Sequence, residues 1–138
     1  WVLSLKSSGG NTHFILKRGN TMERENKQDK LAVLWTSGDR EVALKMVFMY
    51  TCNSKLKGWW DDVTLIIWGP SSKLLSVDME LQEELKKAQD AGVKCQACKL
   101  CADMYGVSEK LEALGVEVIY MGQPLTHYLK NGWHVLTI

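Results

Sequence analysis

The sequence predicts an α/β domain with a five-stranded, mainly parallel sheet and helices on both faces. Short apolar runs rich in β-branched residues recur after residue 30, and amphipathic stretches with helical spacing separate them. The runs are too apolar to face water on one side, which favours strands buried under helices on both faces. Alternation of this kind is typical of βαβ units in a three-layer fold.

Length and composition suit one globular domain of ordinary type. The chain has 138 residues, of which 46% are hydrophobic and 24% are charged. With a formal net charge of +1, the chain lacks the strongly basic character that is typical of proteins that bind nucleic acid. No apolar run approaches the length of a membrane span. We therefore expect neither a nucleic-acid partner nor a membrane span.

The first 29 residues differ in character from the rest. Residues 1–29 show no sustained hydrophobic period and contain a Ser-Ser-Gly-Gly stretch and a polar run from Glu23. We interpret this segment as a flexible N-terminal extension. The folded domain is expected to cover residues 30–138.

The elements follow in order from the apolar pattern and from the residues that interrupt it. Five runs predict strands, at 31–36, 63–68, 93–96, 116–121 and 133–138. Helices are predicted between them, within 42–53, 74–88, 98–114 and 125–129. The boundaries come from turn and capping residues, namely Asp39 before the first helix, Gly69-Pro70 after the second strand, Gly92, Gly106 and Asn131-Gly132. We expect the flavodoxin-like strand order 2-1-3-4-5.

One segment concentrates reactive side chains. Cys95, Cys98 and Cys101 are spaced three apart where the third strand passes into a helix. Chemistry in open α/β sheets collects at the carboxyl ends of strands. There, unpaired N–H groups and the helix dipole would stabilise a thiolate at Cys98, whereas burial of the same thiol among apolar side chains would raise its pKa. Cys101 lies one helical turn later on the same face.

Three interpretations of these cysteines compete. Cys98 is a reactive thiol and Cys101 resolves its oxidised or persulfidated form as an internal disulfide. Alternatively, Cys95, Cys98 and Cys101 form a non-catalytic metal-binding or assembly module, although the further Cys and Pro of a bacterial-type cluster are missing. Free cysteines also simply fill core volume, which is the preferred interpretation for Cys52 and an equal alternative for Cys95. We expect reactivity to fall from Cys98 to Cys101 and then to Cys52.

The same segment resembles the DsrE/DsrF-like family, which includes the sulfur-relay proteins TusB, TusC and TusD. In that family a cysteine stands eight residues before Gly-Val or Gly-Ile, as Cys98 stands before Gly106-Val107. Many members carry a second cysteine three residues later, matched by Cys101. Thr36-Ser37 after the first strand and Gly69-Pro70 after the second also fit. The resemblance covers about residues 30–138, and Cys95 is a thiol that many relatives lack.

The resemblance implies a flavodoxin-like domain that carries persulfide sulfur on Cys98 and assembles into homotrimers or homohexamers. It leaves open whether the chain is a sulfur carrier or a thiol-redox protein, and whether it counts as a sulfurtransferase-type enzyme. Its partners would be sulfur donor and acceptor proteins in the cytoplasm, where crowded cysteines stay reduced. The turn at Thr36-Ser37 lacks a glycine-rich nucleotide pattern, and no cofactor is expected.

A few other side chains are candidates for the same cleft. Trp35 and Trp68 end the first two strands, so they line the cleft or pack under helices. His127 follows the fourth strand and could polarise Cys98, although a surface position is the simpler interpretation. The Trp59-Trp60 loop offers exposed aromatic area of the kind found at subunit interfaces.

Overall fold

A computed structural model describes residues 29–138, so the expectation of a flexible segment over 1–29 lies almost wholly outside the described residues. Five parallel strands form one sheet: β1 (Lys30–Trp35), β2 (Asp62–Ile67), β3 (Lys94–Cys98), β4 (Glu117–Ile119) and β5 (His134–Thr137). The predicted α/β fold with a five-stranded parallel sheet is confirmed. Among the described residues, no helix is both long and apolar enough to cross a membrane.

Six helices connect the strands. The first, α1, spans residues 40–56 and contains a π-helical stretch, Ala43–Phe48, between an α-helical turn and the α-helix Met49–Leu56. The others are α2 (Pro70–Val77), α3 (Met79–Asp90), α4 (Lys99–Tyr105), α5 (Ser108–Ala113) and α6 (Gly122–Lys130). Asp39 caps α1 as predicted, because its Oδ1 accepts hydrogen bonds from the N–H groups of Glu41 (2.8 Å) and Val42 (3.1 Å).

The strand order is β4-β3-β2-β1-β5, so the expected order 2-1-3-4-5 is wrong. The chain adds β2, β3 and β4 on one side of β1 and then returns across the sheet to place β5 on the other side. Parallel crossovers are right-handed, so steps in one direction place their helices on one face and the return step uses the other. The larger core cluster accordingly contains residues of α1 to α5, whereas α6 supplies Tyr128 to the smaller one.

The helical region between β2 and β3 is two helices rather than one. Asp78 leaves the helix with φ −101° and ψ 109°, and its carboxylate accepts a hydrogen bond from Leu81 N–H at 3.0 Å, which caps α3. Arg40 pairs with Asp78 at 2.6 Å and also contacts Glu80. The apolar spacing of the sequence continues across Asp78, which is why periodicity alone predicted a single long helix.

The two faces of the sheet separate the strand residues by alternation. Val33, Leu65 and Cys95 belong to the larger core under α1 to α5. Ala32, Ile66 and Cys98 belong to the smaller cluster beneath α6. Cys95 and Cys98 therefore point to opposite faces of the sheet, and only Cys98 faces the side covered by α6.

Candidate functional site

Cys98 ends β3 and is also the residue that precedes the first turn of α4. Its backbone is extended, with φ −71° and ψ 113°, which allows the chain to change directly from strand to helix. The side chain is only 4% exposed and packs with Ile66, Met121 and Tyr128. The predicted position at a strand-to-helix junction is confirmed, and the thiol at this junction is covered by apolar neighbours.

Cys101 lies one turn further along α4 and joins the same cluster of side chains. It is half-buried, so it is the more accessible thiol of the two. The three-residue spacing thus brings the two thiols together, and we call Cys98 and Cys101 the thiol pair.

Two N–H groups of the turn that follows β2 favour ionisation of the Cys101 thiol. These are the backbone N–H of Gly69 and the indole N–H of Trp68. Burial raises the pKa of the Cys101 thiol, and the neighbouring Cys98 thiol adds to the rise, whereas the Gly69 and Trp68 donors lower it. The net direction is upward, so the two donors only partly compensate for the loss of water around this sulfur.

The turn after β2 is placed by the register of the sheet. Ile67 pairs with Ala97 in the parallel ladder, so the next residue, Trp68, is level with Cys98. Gly69 then adopts φ 74° and ψ −138°, a backbone conformation that side chains with a Cβ rarely take. The glycine lets the chain turn sharply into α2.

Ser71 links this turn to β1 by hydrogen bonds. The sequence had suggested no role for this residue. Its hydroxyl donates to the Trp35 carbonyl at 2.6 Å and accepts from the Trp68 N–H at 3.0 Å. The Trp68 N–H also donates directly to the Trp35 carbonyl at 3.0 Å. A serine two residues after Gly69 in a Gly-Pro-Ser turn is the only sequence signal that could have indicated it.

Cys95 is excluded from the site by its place on the other face of the sheet. Its thiol is buried in the larger core and donates to the Val93 carbonyl at 3.7 Å. Burial raises the pKa of Cys95 to about 12, which makes it inert near neutral pH. A metal site made by Cys95, Cys98 and Cys101 therefore lacks its third ligand. Within 29–138, no group of three or more His, Cys, Asp or Glu side chains is placed to hold a metal.

The two strand-end tryptophans divide between the two faces. Trp35 is fully buried in the larger core, with its ring centroid 5.3 Å from that of Phe48. Trp68 lies in the smaller cluster with the thiol pair. Of the two, Trp35 therefore packs under helices, and Trp68 lines the site.

The remaining candidates, Thr36, Ser37 and His127, make their hydrogen bonds away from the thiol pair. Thr36 donates to the Ile138 carbonyl from its N–H at 2.7 Å and from its hydroxyl at 3.1 Å. Ser37 also donates its N–H to this carbonyl, at 3.3 Å. His127 is exposed on α6, and its Nδ1 lies 3.1 Å from Asn131 Nδ2. Thr36 and Ser37 thus fix the chain beside β1, and His127 contacts its own helix.

The surface beside the thiol pair is apolar and carries one ordered cation. Leu100, Met104 and Tyr120 are all more than half exposed. The Lys99 ammonium is 3.0 Å from Asp103 and 5.9 Å from the centre of the Tyr120 ring. Lys99 is thus held by its carboxylate neighbour, and its contacts do not include the sulfur atoms.

Comparison with known proteins places the fold and the cysteine segment in context. The sequence profile of the DsrE/DsrF-like family matches residues 20–138. A solved structure of BT1422, a conserved protein of unknown function from Bacteroides thetaiotaomicron, is 42% identical, with a TM-score of 0.77 over 80% of this chain and 95% of that one. The YchN protein of E. coli is 16% identical, with a TM-score of 0.64 over 80% of this chain and all of its own, and shares the fold. No curated protein matches the chain in sequence.

Proposed function

The chain belongs to the DsrE/DsrF-like family, and from this premise we propose that it is a persulfide carrier that uses Cys98 as the reactive thiol and Cys101 as its resolving partner. The observation that carries the proposal is the packing of Cys98 and Cys101 in one cluster of side chains at the carboxyl end of β3. Family membership supports a function related to sulfur relay. The assignment to these two cysteines is ours.

Sulfur uptake is a thiol exchange that conserves atoms and electrons. The Cys98 thiolate attacks the outer sulfur of a donor protein persulfide, R–S–SH. A bond forms between Cys98 and that sulfur, the S–S bond of the donor breaks, and the donor leaves as R–S⁻. Transfer onward repeats the exchange, because an acceptor thiolate takes the outer sulfur and Cys98 returns to its thiolate form.

Cys101 gives the carrier a second outcome. Its thiolate attacks the inner sulfur of Cys98–S–SH, a disulfide forms between Cys98 and Cys101, and hydrosulfide leaves. This step protects the protein from irreversible oxidation of the stored sulfur and also supplies the chemistry of a thiol-redox protein. A dithiol–disulfide function is the second candidate, and the same packing of the two cysteines favours it.

The burial of Cys98 fits storage of a labile sulfur. Persulfides react with water-borne oxidants and thiols, and a side chain that is 4% exposed is shielded from both. The apolar side chains of Leu100, Met104 and Tyr120 beside the pair suit contact with a protein surface. Donor and acceptor are therefore proposed to be proteins that reach the pair at this edge of the sheet.

Assembly and location are proposed on the same basis. Trp59 is 52% exposed, and its ring centroid lies 6.0 Å from that of Tyr50. Part of this aromatic surface on α1 and the following loop is therefore uncovered. We propose that such surfaces are buried in a homotrimer or homohexamer, which light scattering would test. The four free thiols are suited to a reducing compartment, and we propose the cytoplasm.

The test is sulfur uptake measured by intact mass spectrometry. The reduced protein is incubated with a cysteine desulfurase and cysteine, and then trapped with an alkylating reagent. We expect wild type, Cys101→Ser and Cys52→Ser to gain one sulfur atom, and Cys98→Ser to gain none. Uptake by Cys98→Ser equal to that of wild type would refute the assignment.

A further inference from the structure

Cys98 is covered by a helix that is weakly attached to the sheet. The thiol is 4% exposed, and its cluster includes Leu125 and Tyr128 of α6 and Met121 just before that helix. A persulfide on a donor protein needs an opening to reach a thiol in this position. We propose that α6 is a gate over Cys98 and that Tyr128 is the positioning residue that holds it closed. The inference rests on the proposed function, because it concerns how the donor reaches the sulfur.

The attachment of α6 to the rest of the domain depends on very few side chains. Met121, Leu125 and Tyr128 are spaced by four and three residues, which puts them in one row along the helix. Of the nine residues of α6, only Tyr128 is buried. Within residues 29–138, α6 takes part in no ion pair. A short helix is stabilised mainly by packing, so a helix with one buried residue opens more easily than the rest of the fold.

The Tyr128 phenol makes the one side-chain hydrogen bond that joins α6 to the sheet among the described residues. It donates to Gln96 Oε1 at 2.8 Å, and Gln96 Nε2 donates to the Glu117 carboxylate at 2.7 Å. Because a carboxylate accepts hydrogen bonds, the Gln96 nitrogen faces Glu117 and its oxygen faces Tyr128. The other side-chain bonds of α6 stay within the helix and its carboxyl end. The bond to Gln96 therefore fixes the closed position of α6.

The position of Tyr128 along β3 places this bond next to the thiol. Lys94, Gln96 and Cys98 are alternate residues of β3 and so share the face beneath α6. Lys94 lines an open cleft of about 250 Å³ together with Tyr128 and Trp133. Packing under α6 is thus incomplete at Lys94, is closed by Tyr128 at Gln96, and covers the sulfur at Cys98. Loss of the bond at Gln96 would leave the helix over Cys98 with apolar contacts alone.

Cys95 is a matched internal control for the opening of α6. It is 6% exposed, close to the 4% of Cys98, but it lies in the core on the other face of the sheet. Opening of α6 exposes Cys98 and leaves Cys95 covered. In wild type, Cys98 should therefore be alkylated faster than Cys95. Its rate should also depend less on urea, because a local opening exposes less surface than unfolding does. Fragmentation of the tryptic peptide 95–99 reports the two thiols separately.

The variant Tyr128→Phe keeps the ring and removes the hydroxyl. In the closed state it leaves the buried Gln96 oxygen without its donor, so opening should become about fivefold more frequent or more. The alkylation rate of Cys98 should rise by that factor. Hydrogen exchange of the α6 amides, followed by mass spectrometry, should rise by the same factor, because one opening exposes both. Tyr105→Phe is the control and should match wild type, because Tyr105 is 40% exposed on α4 and its phenol makes no hydrogen bond within residues 29–138.

The first comparison uses wild type alone, so it decides the matter even if Tyr128→Phe does not fold. Alkylation of Cys98 that is as slow and as dependent on urea as that of Cys95 overturns the proposal, because only unfolding would then expose the thiol. An unchanged Cys98 rate in Tyr128→Phe overturns it as well, and so does a faster Cys98 reaction without faster exchange in α6. Sulfur uptake by wild type is measured in parallel. Its absence would overturn the proposed function while a local opening of α6 still supported the gate.

Discussion

Ser71 and Ser72 offer a direct test of how the turn beside the thiol pair is stabilised. Both side chains are fully buried at the start of α2. The Ser71 hydroxyl accepts a hydrogen bond from the Trp68 N–H at 3.0 Å and shares its one proton between the Trp35 carbonyl at 2.6 Å and the Trp68 carbonyl at 3.1 Å. The Ser72 hydroxyl has no partner among the described residues. The two serines therefore differ in bonding while sharing burial and position.

The expected effect of Ser71→Ala follows from these contacts. The Trp35 carbonyl and the Trp68 N–H also bond each other, so neither becomes unsatisfied when the hydroxyl is removed. The loss is two hydrogen bonds of about 0.5–1.5 kcal/mol each, so the free energy of unfolding should fall by about 1–3 kcal/mol. Ser72→Ala removes an unpaired buried hydroxyl and should be neutral or stabilising.

Urea unfolding followed by tryptophan fluorescence measures both variants on one scale. The midpoint of Ser71→Ala should fall, with an unchanged dependence of the free energy of unfolding on urea, while Ser72→Ala should unfold at or above the wild-type midpoint. Equal losses in the two variants would refute the reasoning, because burial alone would then explain the cost. A loss below about 0.5 kcal/mol for Ser71→Ala would also refute it.

Two further predictions concern the cysteines. Mild oxidation with diamide should remove two hydrogens from wild type and join the tryptic peptides that contain Cys98 and Cys101. Cys98→Ser and Cys101→Ser should form no such internal disulfide. A disulfide to Cys95 in the wild-type protein would contradict the geometry. Burial raises the pKa of Cys95 from 9.0 to about 12. The unfolded chain therefore releases this proton before the folded one, and the stability due to the neutral thiol is present below pH 9 and lost between about pH 9 and 12. Across this window the free energy of unfolding of wild type should fall with pH more steeply than that of Cys95→Ala, and the two slopes should differ by about 1.4 kcal/mol per pH unit. Parallel slopes would count against a buried neutral thiol.

The sequence pattern predicts the elements of this fold better than their arrangement. Apolar periodicity reports which side chains avoid water, and it identified all five strands. It carries no information on which strands are neighbours, because every central strand of a parallel sheet is apolar on both sides. The position of β5 beside β1 depends on α6 crossing the sheet, which the short run around Leu125 does not reveal. The break at Asp78 was missed because a capping carboxylate inside a helical period looks like any surface acid.

The candidate site likewise has one part that the sequence predicts and one part that it does not. The spacing of Cys98 and Cys101 places them on one helix face, so their proximity follows from the sequence alone. The position of Trp68 beside the thiol pair depends on the register of β2 against β3, which no local pattern specifies. The opposite orientations of Trp35 and Trp68 likewise depend on where each strand ends. The part of the site that comes from one segment was therefore predictable, and the part that comes from a neighbouring strand was not.

The most direct test of the account is the location of the sulfur atom after transfer. Protein loaded from a donor carrying isotopically labelled sulfur is alkylated at once and cleaved after Lys99, so that Cys98 and Cys101 fall in separate peptides. Fragmentation of the peptide 95–99 then distinguishes Cys98 from Cys95. The account predicts the labelled sulfur on Cys98, with Cys101 and Cys95 unlabelled. Label on Cys101 in the wild-type protein, retained when Cys98 is replaced by serine, would contradict it.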